Sequence, residues 1–301
     1  MKIGIDVGGS HIGVGLVEGE NLLTKLDHYY SQEEKENIEN AIINIISNLT
    51  YKLLTENNFD IENIEKIGVS SPGTIMDGKI MSYNLGLTNF DIKNKLQEIF
   101  NKEVIVRNDG KCAALAEKEY GSLKDYDDCL FINIGTGIGG AAFLGGKLLE
   151  SKKYSAFEFG HMTLVKDGIQ CTCGKKGCFE RYCSIKSLKT RIVNRLNLQS
   201  SDFSGQYMRE NLMLERKDEI QSDIDDFVDY LRIGLCNLID IFEPEAICFG
   251  GSFSYYEGYP IFEQMKREIY REDVTFNHNK PALITAKFKN DAGIIGSVIQ
   301  G

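Results

Sequence analysis

Residues 3–22 read IGIDVGGSHIGVGLVEGENL, and residues 130–149 read LFINIGTGIGGAAFLGGKLL. Set one beneath the other with an offset of 127 and no gaps, Asp6 falls on Asn133, Gly8 on Gly135, Leu16 on Phe143 and Gly19 on Gly146. Each copy predicts an apolar strand, a glycine turn, a second strand, a tight turn and a third strand. Each is followed later by a helix and by a strand ending in small residues, GVSSPG at 68–73 and CFGGS at 248–252. Self-similarity of this kind names an architecture. Here it predicts an α/β chain with a duplicated βββαβα core, its two lobes facing one another across a cleft. Two unrelated hairpins with glycine turns would give part of the same pattern.

Between the copies, apolar side chains at Ile38, Ile42, Ile45, Leu49 and Leu53 predict a helix over 33–57. IEKIGVS (64–70) and EVIVRND (103–109) read as strands, and DIKNKLQEIF (91–100) as a short amphipathic helix. Residues 199–219 are polar and read as a surface excursion. DIDDFVDYLRIGLCNLIDIF (223–242) predicts a long helix stopped by Glu243-Pro244, and KNDAGIIGSVIQG (289–301) a terminal helix with two close-packing glycines. The small N-terminal lobe is expected over 1–108 plus 290–301, and the large C-terminal lobe over 109–289.

A chain of 301 residues is comfortable for two lobes. Its net charge of −10, with no Lys/Arg cluster, argues against nucleic-acid binding. No apolar run is long enough for a membrane span, and MKIGIDVGG lacks the features of a signal peptide. A cytoplasmic protein is expected. Of the eight cysteines, only Cys171, Cys173 and Cys178 cluster; the others sit mostly in apolar segments, as reduced core residues do.

Gly135-Thr136-Gly137-Ile138-Gly139-Gly140 matches the dinucleotide pattern G-x-G-x-x-G. That motif requires a helix next, and AAFLGGKLL is strand-like, so the dinucleotide reading fails. Glycine hairpins still let backbone N–H groups approach phosphate oxygens. Gly8-Gly9-Ser10 and Gly135-Thr136-Gly137 could together grip a triphosphate, with Asp6 holding Mg²⁺. Either hairpin alone would pass for an ordinary turn.

DVGGS, SPG, RNDGKCAALAE, NIGTGIGG, EFGH, CTCGKKGCFE, FGGS and DAGIIGS, in this order, resemble the ROK family of sugar kinases, repressors and open reading frames. The resemblance implies the two-lobed actin-like (ribonuclease H-like) ATPase fold, with ATP and a sugar bound between the lobes. It also implies transfer of the γ-phosphoryl group to a hexose hydroxyl, most often the 6-OH, and a homodimer.

Phosphoryl transfer needs a carboxylate to take the hydroxyl proton. Asp109, after the strand EVIVRN, corresponds to the family's base and Asn108 to a sugar contact; Asp109 could equally cap the helix that follows. The resemblance further assigns Glu158, His161 and Glu180 as sugar ligands, with Gly73 and Asn84 in the sugar pocket. Gly250 and Gly251 match glycines that lie against the adenosine, and His11 occupies a position where it could donate to phosphate. A surface ion pair with Arg181 would otherwise account for Glu180.

Cys171, Cys173 and Cys178 with His161 make a Cys₃His set suited to structural Zn²⁺. One ring nitrogen of His161 would bind metal and the other N–H would face the sugar. The chain departs from the family at Ser10-His11, at Lys111 in place of an asparagine, and at Phe157 in place of a glycine. It also has no tryptophan in the sugar loop. Repressor members carry a helix-turn-helix before the DxGG strand; here that strand begins at residue 2, which disfavours the repressor branch. A sugar-binding protein without catalysis is a further alternative.

Overall fold

β-Branched and leucine side chains alternate with glycine or polar residues along Lys2–Val7 (β1) and His11–Glu18 (β2), so one sheet face is apolar and the other lets a helix approach closely. The computed structural model describes residues 1–151, 157–199, 203–276 and 280–300. Two units divide the chain. The first holds Met1–Lys124, Glu150 and the C-terminal residues from Asn290; the second holds Asp125–Leu149 and Phe157–Lys289.

In unit 1, β1, β2 and β3 (Asn21–Tyr29) form an antiparallel meander, followed by helices α1 (Gln32–Glu36) and α2 (Ile38–Glu56). The single helix expected over 33–57 is thus broken at Asn37, and α1 carries a full capping box from Ser31 and Glu34. β4 (Lys66–Ser71) returns parallel to β1. A small antiparallel sheet follows, β5 (Thr74–Met76), β6 (Lys79–Ser82) and β7 (Leu87–Phe90). Helix α3 (Ile92–Phe100) leads to β8 (Glu103–Asn108), parallel to β4, and then to α4 (Asp109–Tyr120). The main sheet has the order β3-β2-β1-β4-β8.

Unit 2 repeats this order. β9 (Cys129–Ile134), β10 (Ile138–Leu144) and β11 (Lys147–Leu148) form the meander. Helices α5 (Glu180–Cys183) and α6 (Ile185–Leu196) follow, then α7 (Gly205–Tyr207), a π-helical turn Met208–Leu212, α8 (Met213–Glu215) and α9 (Lys217–Phe242). β12 (Ala246–Gly250), α10 (Pro260–Ile269) and β13 (Ala282–Thr285) complete it, in the order β11-β10-β9-β12-β13. The duplication is therefore real, but the ungapped alignment is not. Val7 pairs with Ile12 whereas Ile134 pairs with Ile138, so the second turn is one residue shorter.

The expectation for 199–219 is corrected among its described residues: Met208, Leu212 and Met213 lie in the core of unit 2, and Phe203 packs there too. Helix α9 starts at Lys217 and stops where Glu243 turns left-handed (φ 45°) ahead of Pro244. The terminal helix α11 (Ala292–Ser297) belongs to unit 1 and packs so closely that a Cβ on Gly4 would strike the Ile294 carbonyl, and one on Gly296 the Cys112 carbonyl. No described helix is long and apolar enough to cross a membrane.

Candidate active site

Unit 1 supplies two loops at the carboxyl ends of β1 and β8. The first is the β1–β2 turn, closed by a hydrogen bond from Gly8 N to the His11 carbonyl (2.9 Å). Just before it, Asp6 accepts a hydrogen bond from Ser70 Oγ of β4 (2.6 Å). Burial pushes the Asp6 carboxyl above its ordinary range, against the pull of that hydrogen bond and of the nearby His11. A cation bound at this carboxylate would offset the cost of ionising it, and Mg²⁺ takes such an oxygen ligand. The His11 ring stacks on Tyr29 (5.3 Å between centroids, 27° between planes) with Ser10 Oγ 3.3 Å from Nδ1.

The second loop is built around Asn108. Its Oδ1 accepts from Lys111 N (3.3 Å) and its Nδ2 donates to the Gly73 carbonyl (3.0 Å). Asn108, with extended backbone, is therefore the cap of α4, and Asp109 is the first helical residue; capping does not fall to Asp109. Asp109 Oδ1 accepts from Gly110 N (2.8 Å). Gly73, at φ 101°, passes so close to Met81 and Ser82 that no side chain fits there. Lys111 turns to Glu150, 3.4 Å away. Asn84 is exposed, in the one-turn helix Tyr83–Leu85 beside the small sheet.

Unit 2 contributes the β9–β10 turn, closed from Gly135 N to the Gly137 carbonyl (2.9 Å). Glu180, the first residue of α5, reaches back so that Oε2 accepts from Ile138 N (2.9 Å). A Cβ on Gly137 would collide with that oxygen. Glu180 is thus tied to the turn, and no ion pair with Arg181 is found among the described residues. Glu158 precedes the turn Phe159–His161, and Phe157 before it adopts φ 68°, the left-handed backbone that a glycine enters freely. Its ring packs against Phe242 (6.4 Å), a contact glycine could not make.

His161 Nδ1 lies 3.8 Å from Cys171 Sγ, and Cys173 Sγ lies 3.6 Å from Cys178 Sγ. All four donor atoms fall within 4.8 Å of one another. Bonds of about 2.3 Å at tetrahedral angles put sulfurs roughly 3.7 Å apart, close to the two spacings above, so the donor set suits Zn²⁺. Burial and the neighbouring cysteines push the Cys178 thiol up to about 12, a cost that a bound cation removes. Gly174 (φ 90°) and Gly177 (φ 76°) make the turns that bring the sulfurs together. With Nδ1 directed at the cluster, Nε2 is left for another partner.

A cavity of about 340 Å³ opens against the unit 2 turn, lined by Gly135, Thr136, Ser252 and the α6 residues Lys186, Lys189 and Asn194, with Phe203 as an apolar wall. Gly250 and Gly251 directly precede Ser252 in the chain. A Cβ on Gly250 would meet the Phe131 ring, and Gly251 (φ 65°) has the Ile134 carbonyl 2.9 Å from where its Cβ would be. The α6 residues and Phe203 escape sequence reasoning because an amphipathic helix with lysines on its outer face looks like any solvated helix.

An α/β chain whose duplicated five-stranded sheets carry paired glycine turns is an actin-like ATPase fold. The chain belongs to the ROK family, whose profile matches residues 2–299. It is 26% identical over 314 residues to a glucokinase of Streptomyces coelicolor, covering 99% of this chain and 96% of the relative. It is 28% identical over 298 residues to the xylose repressor of Bacillus subtilis, covering 98% of this chain and 75% of the relative. A solved ROK hexokinase from Thermus thermophilus superimposes with a TM-score of 0.76 at 26% identity, covering 98% of this chain and 96% of that one.

Proposed function

We propose that the chain is an ATP-dependent sugar kinase that transfers the γ-phosphoryl group to a hexose hydroxyl, with Asp109 as the general base. The observation that carries this reading is the hydrogen bond from Ile138 N to Glu180 Oε2, which ties the carboxylate that would bind the acceptor to the turn that would bind phosphate. Asn108 and Gly73, already bonded to each other, serve the acceptor together with Asn84, Glu158 and His161. Gly8, Gly9, Ser10, His11, Gly135, Thr136 and Gly137 serve the phosphates, and the adenosine takes the cavity beside Ser252, which Gly250 and Gly251 precede in the chain. Mg²⁺ at Asp6 would neutralise charge on the phosphates. Asp109 takes the proton of the attacking hydroxyl as the new P–O bond forms and the bond to the ADP oxygen breaks.

Asp109→Asn is expected to lower kcat at least about a hundredfold while sugar affinity stays within a few-fold, read by a coupled assay and by calorimetry. Wild-type turnover in that variant would remove Asp109 from the role. Structural Zn²⁺ on His161, Cys171, Cys173 and Cys178 braces the segment that ends at Glu158 and Glu180. Metal analysis should find one zinc per chain, and Cys173→Ser should lose it. Similarity to the xylose repressor favours one second reading, a sugar-responsive regulator without turnover. A screen of glucose, fructose, mannose, N-acetylmannosamine, N-acetylglucosamine and β-glucosides separates them: binding of one sugar with turnover of none selects the regulator.

A further inference from the structure

Beyond the triphosphate turns, the rim of the unit 2 cavity carries cations that no carboxylate offsets among the described residues. Lys186 and Lys189 line the cavity from α6. Arg209, in the π-helical turn, faces Lys189 across Gly205: Arg209 Nη1 and Lys189 Nζ each lie 3.4 Å from the point where a Cβ on Gly205 would stand. The two like charges are therefore less than about 7 Å apart, a repulsive arrangement unless something negative lies with them. The Arg209 guanidinium carbon lies over the rings of Tyr255 (5.5 Å) and Tyr256 (5.6 Å), and Arg209 makes no ion pair among the described residues. Lys289 lies over the same Tyr255 ring at 4.9 Å. None of these four cations makes a salt bridge among the described residues, although the chain as a whole carries a net charge of −10. Burial, then the charge of Arg209, pulls the Lys189 ammonium below its ordinary value. Tyr255 and Ser252 share one short helix, Gly251–Tyr256, so this cation group is continuous with the cavity wall.

We propose that Lys189 and Arg209, supported by Lys186 and Lys289, form a binding subsite for a phosphate group lying outside the track of the nucleotide's own 5′-phosphates. A phosphate dianion there accepts charge-assisted hydrogen bonds from both side chains and relieves their mutual repulsion. Two sources present that chemistry: a phosphate on the ribose of the bound nucleotide, or the distal end of an inorganic condensed phosphate chain. The placement of the subsite at the nucleoside end of the cavity rests on the kinase reading above; the cation group itself does not.

Calorimetric titration of the full chain with ADP, adenosine 3′,5′-bisphosphate and inorganic tripolyphosphate tests the subsite without depending on turnover. In Arg209→Gln and in Lys189→Gln, one of the last two probes should bind at least about tenfold more weakly, with a shallower dependence on salt. Arg209→Lys, which keeps the charge, should retain most of the affinity, and ADP should change less than threefold in Arg209→Gln. Loss for the bisphosphate assigns the ribose source, and loss for tripolyphosphate the condensed chain. If ADP binds and neither other probe responds to either Gln variant, the subsite is refuted. If ADP fails to bind the wild type, the nucleotide reading falls instead, and a tripolyphosphate response to Arg209→Gln would still uphold the subsite.

Discussion

The β1–β2 and β9–β10 turns descend from the same strand–turn–strand pattern, yet each is held by different chemistry. The first has four residues between paired Val7 and Ile12 and is preceded by a carboxylate, Asp6, fixed by Ser70. The second has three residues between Ile134 and Ile138, is preceded by the neutral Asn133, and is fixed from outside by Glu180. Gly9 of the first faces open space, whereas Gly137 of the second is pressed against Glu180. One turn is built to present a charge, and the other to be positioned by one. Under the proposed function that difference would divide the labour between the duplicated elements: Asp6 of unit 1 would hold the cation, and Glu180 of unit 2 would couple its turn to the acceptor.

Converting the first turn to the second's chemistry should give the largest effect. Asp6→Asn removes the cation-binding charge but preserves shape, and Mg²⁺-dependent phosphorylation should fall by about a hundredfold or more. Stability should move the other way. The folded-state value of Asp6 is raised by burial, so its ionised form costs stability from about pH 4 upward, increasingly until the pH passes the raised value. The variant should therefore melt at the same temperature as wild type in acid and at an equal or higher one at neutral pH. A variant that loses both activity and melting temperature at neutral pH would show that Asp6 is structural.

The contrast between the two glycines gives an intermediate effect. Gly137→Ala should force Glu180 off its hydrogen bond, costing about 1–3 kcal/mol in denaturant unfolding and about tenfold in kcat. Gly9→Ala meets no atom within 4 Å, and should stay within about 0.5 kcal/mol of wild type. Equal losses at the two positions would dissolve the distinction.

What the sequence made legible is what local chemistry dictates. Glycine turns between apolar strands give both meanders, and Cys171, Cys173 and Cys178 with His161 converge as their spacing suggests. The one-residue difference between the turns is not visible, because either register keeps an apolar alternation. Nor is the capping of α4: Asn108 and Asp109 are both good caps, and only the extended backbone at Asn108 decides between them. The run through 199–219 misleads because the apolar side chains it buries in unit 2, Phe203, Met208, Leu212 and Met213, are diluted by polar and charged residues. Phe157 departs from the family glycine in identity but keeps the left-handed backbone, with its strain offset by Phe242.

The smallest expected effect concerns a support that the second turn lacks. β3 is nine residues long and brings Tyr29 opposite His11, so the loop imidazole rests on an aromatic ring. β11 has two residues and pairs only with Phe143 and Leu144, far along the strand from Thr136. An aromatic stack of this kind is worth about 0.5–1 kcal/mol. If it holds His11 toward phosphate, Tyr29→Leu should raise the KM for ATP about two- to fivefold with kcat and the sugar KM unchanged. Tyr29 is 72% exposed, so the same substitution should leave the unfolding midpoint nearly unmoved. A change in the sugar KM instead would mean that the stack shapes the acceptor side, and that the two turns differ in more than how they meet the donor.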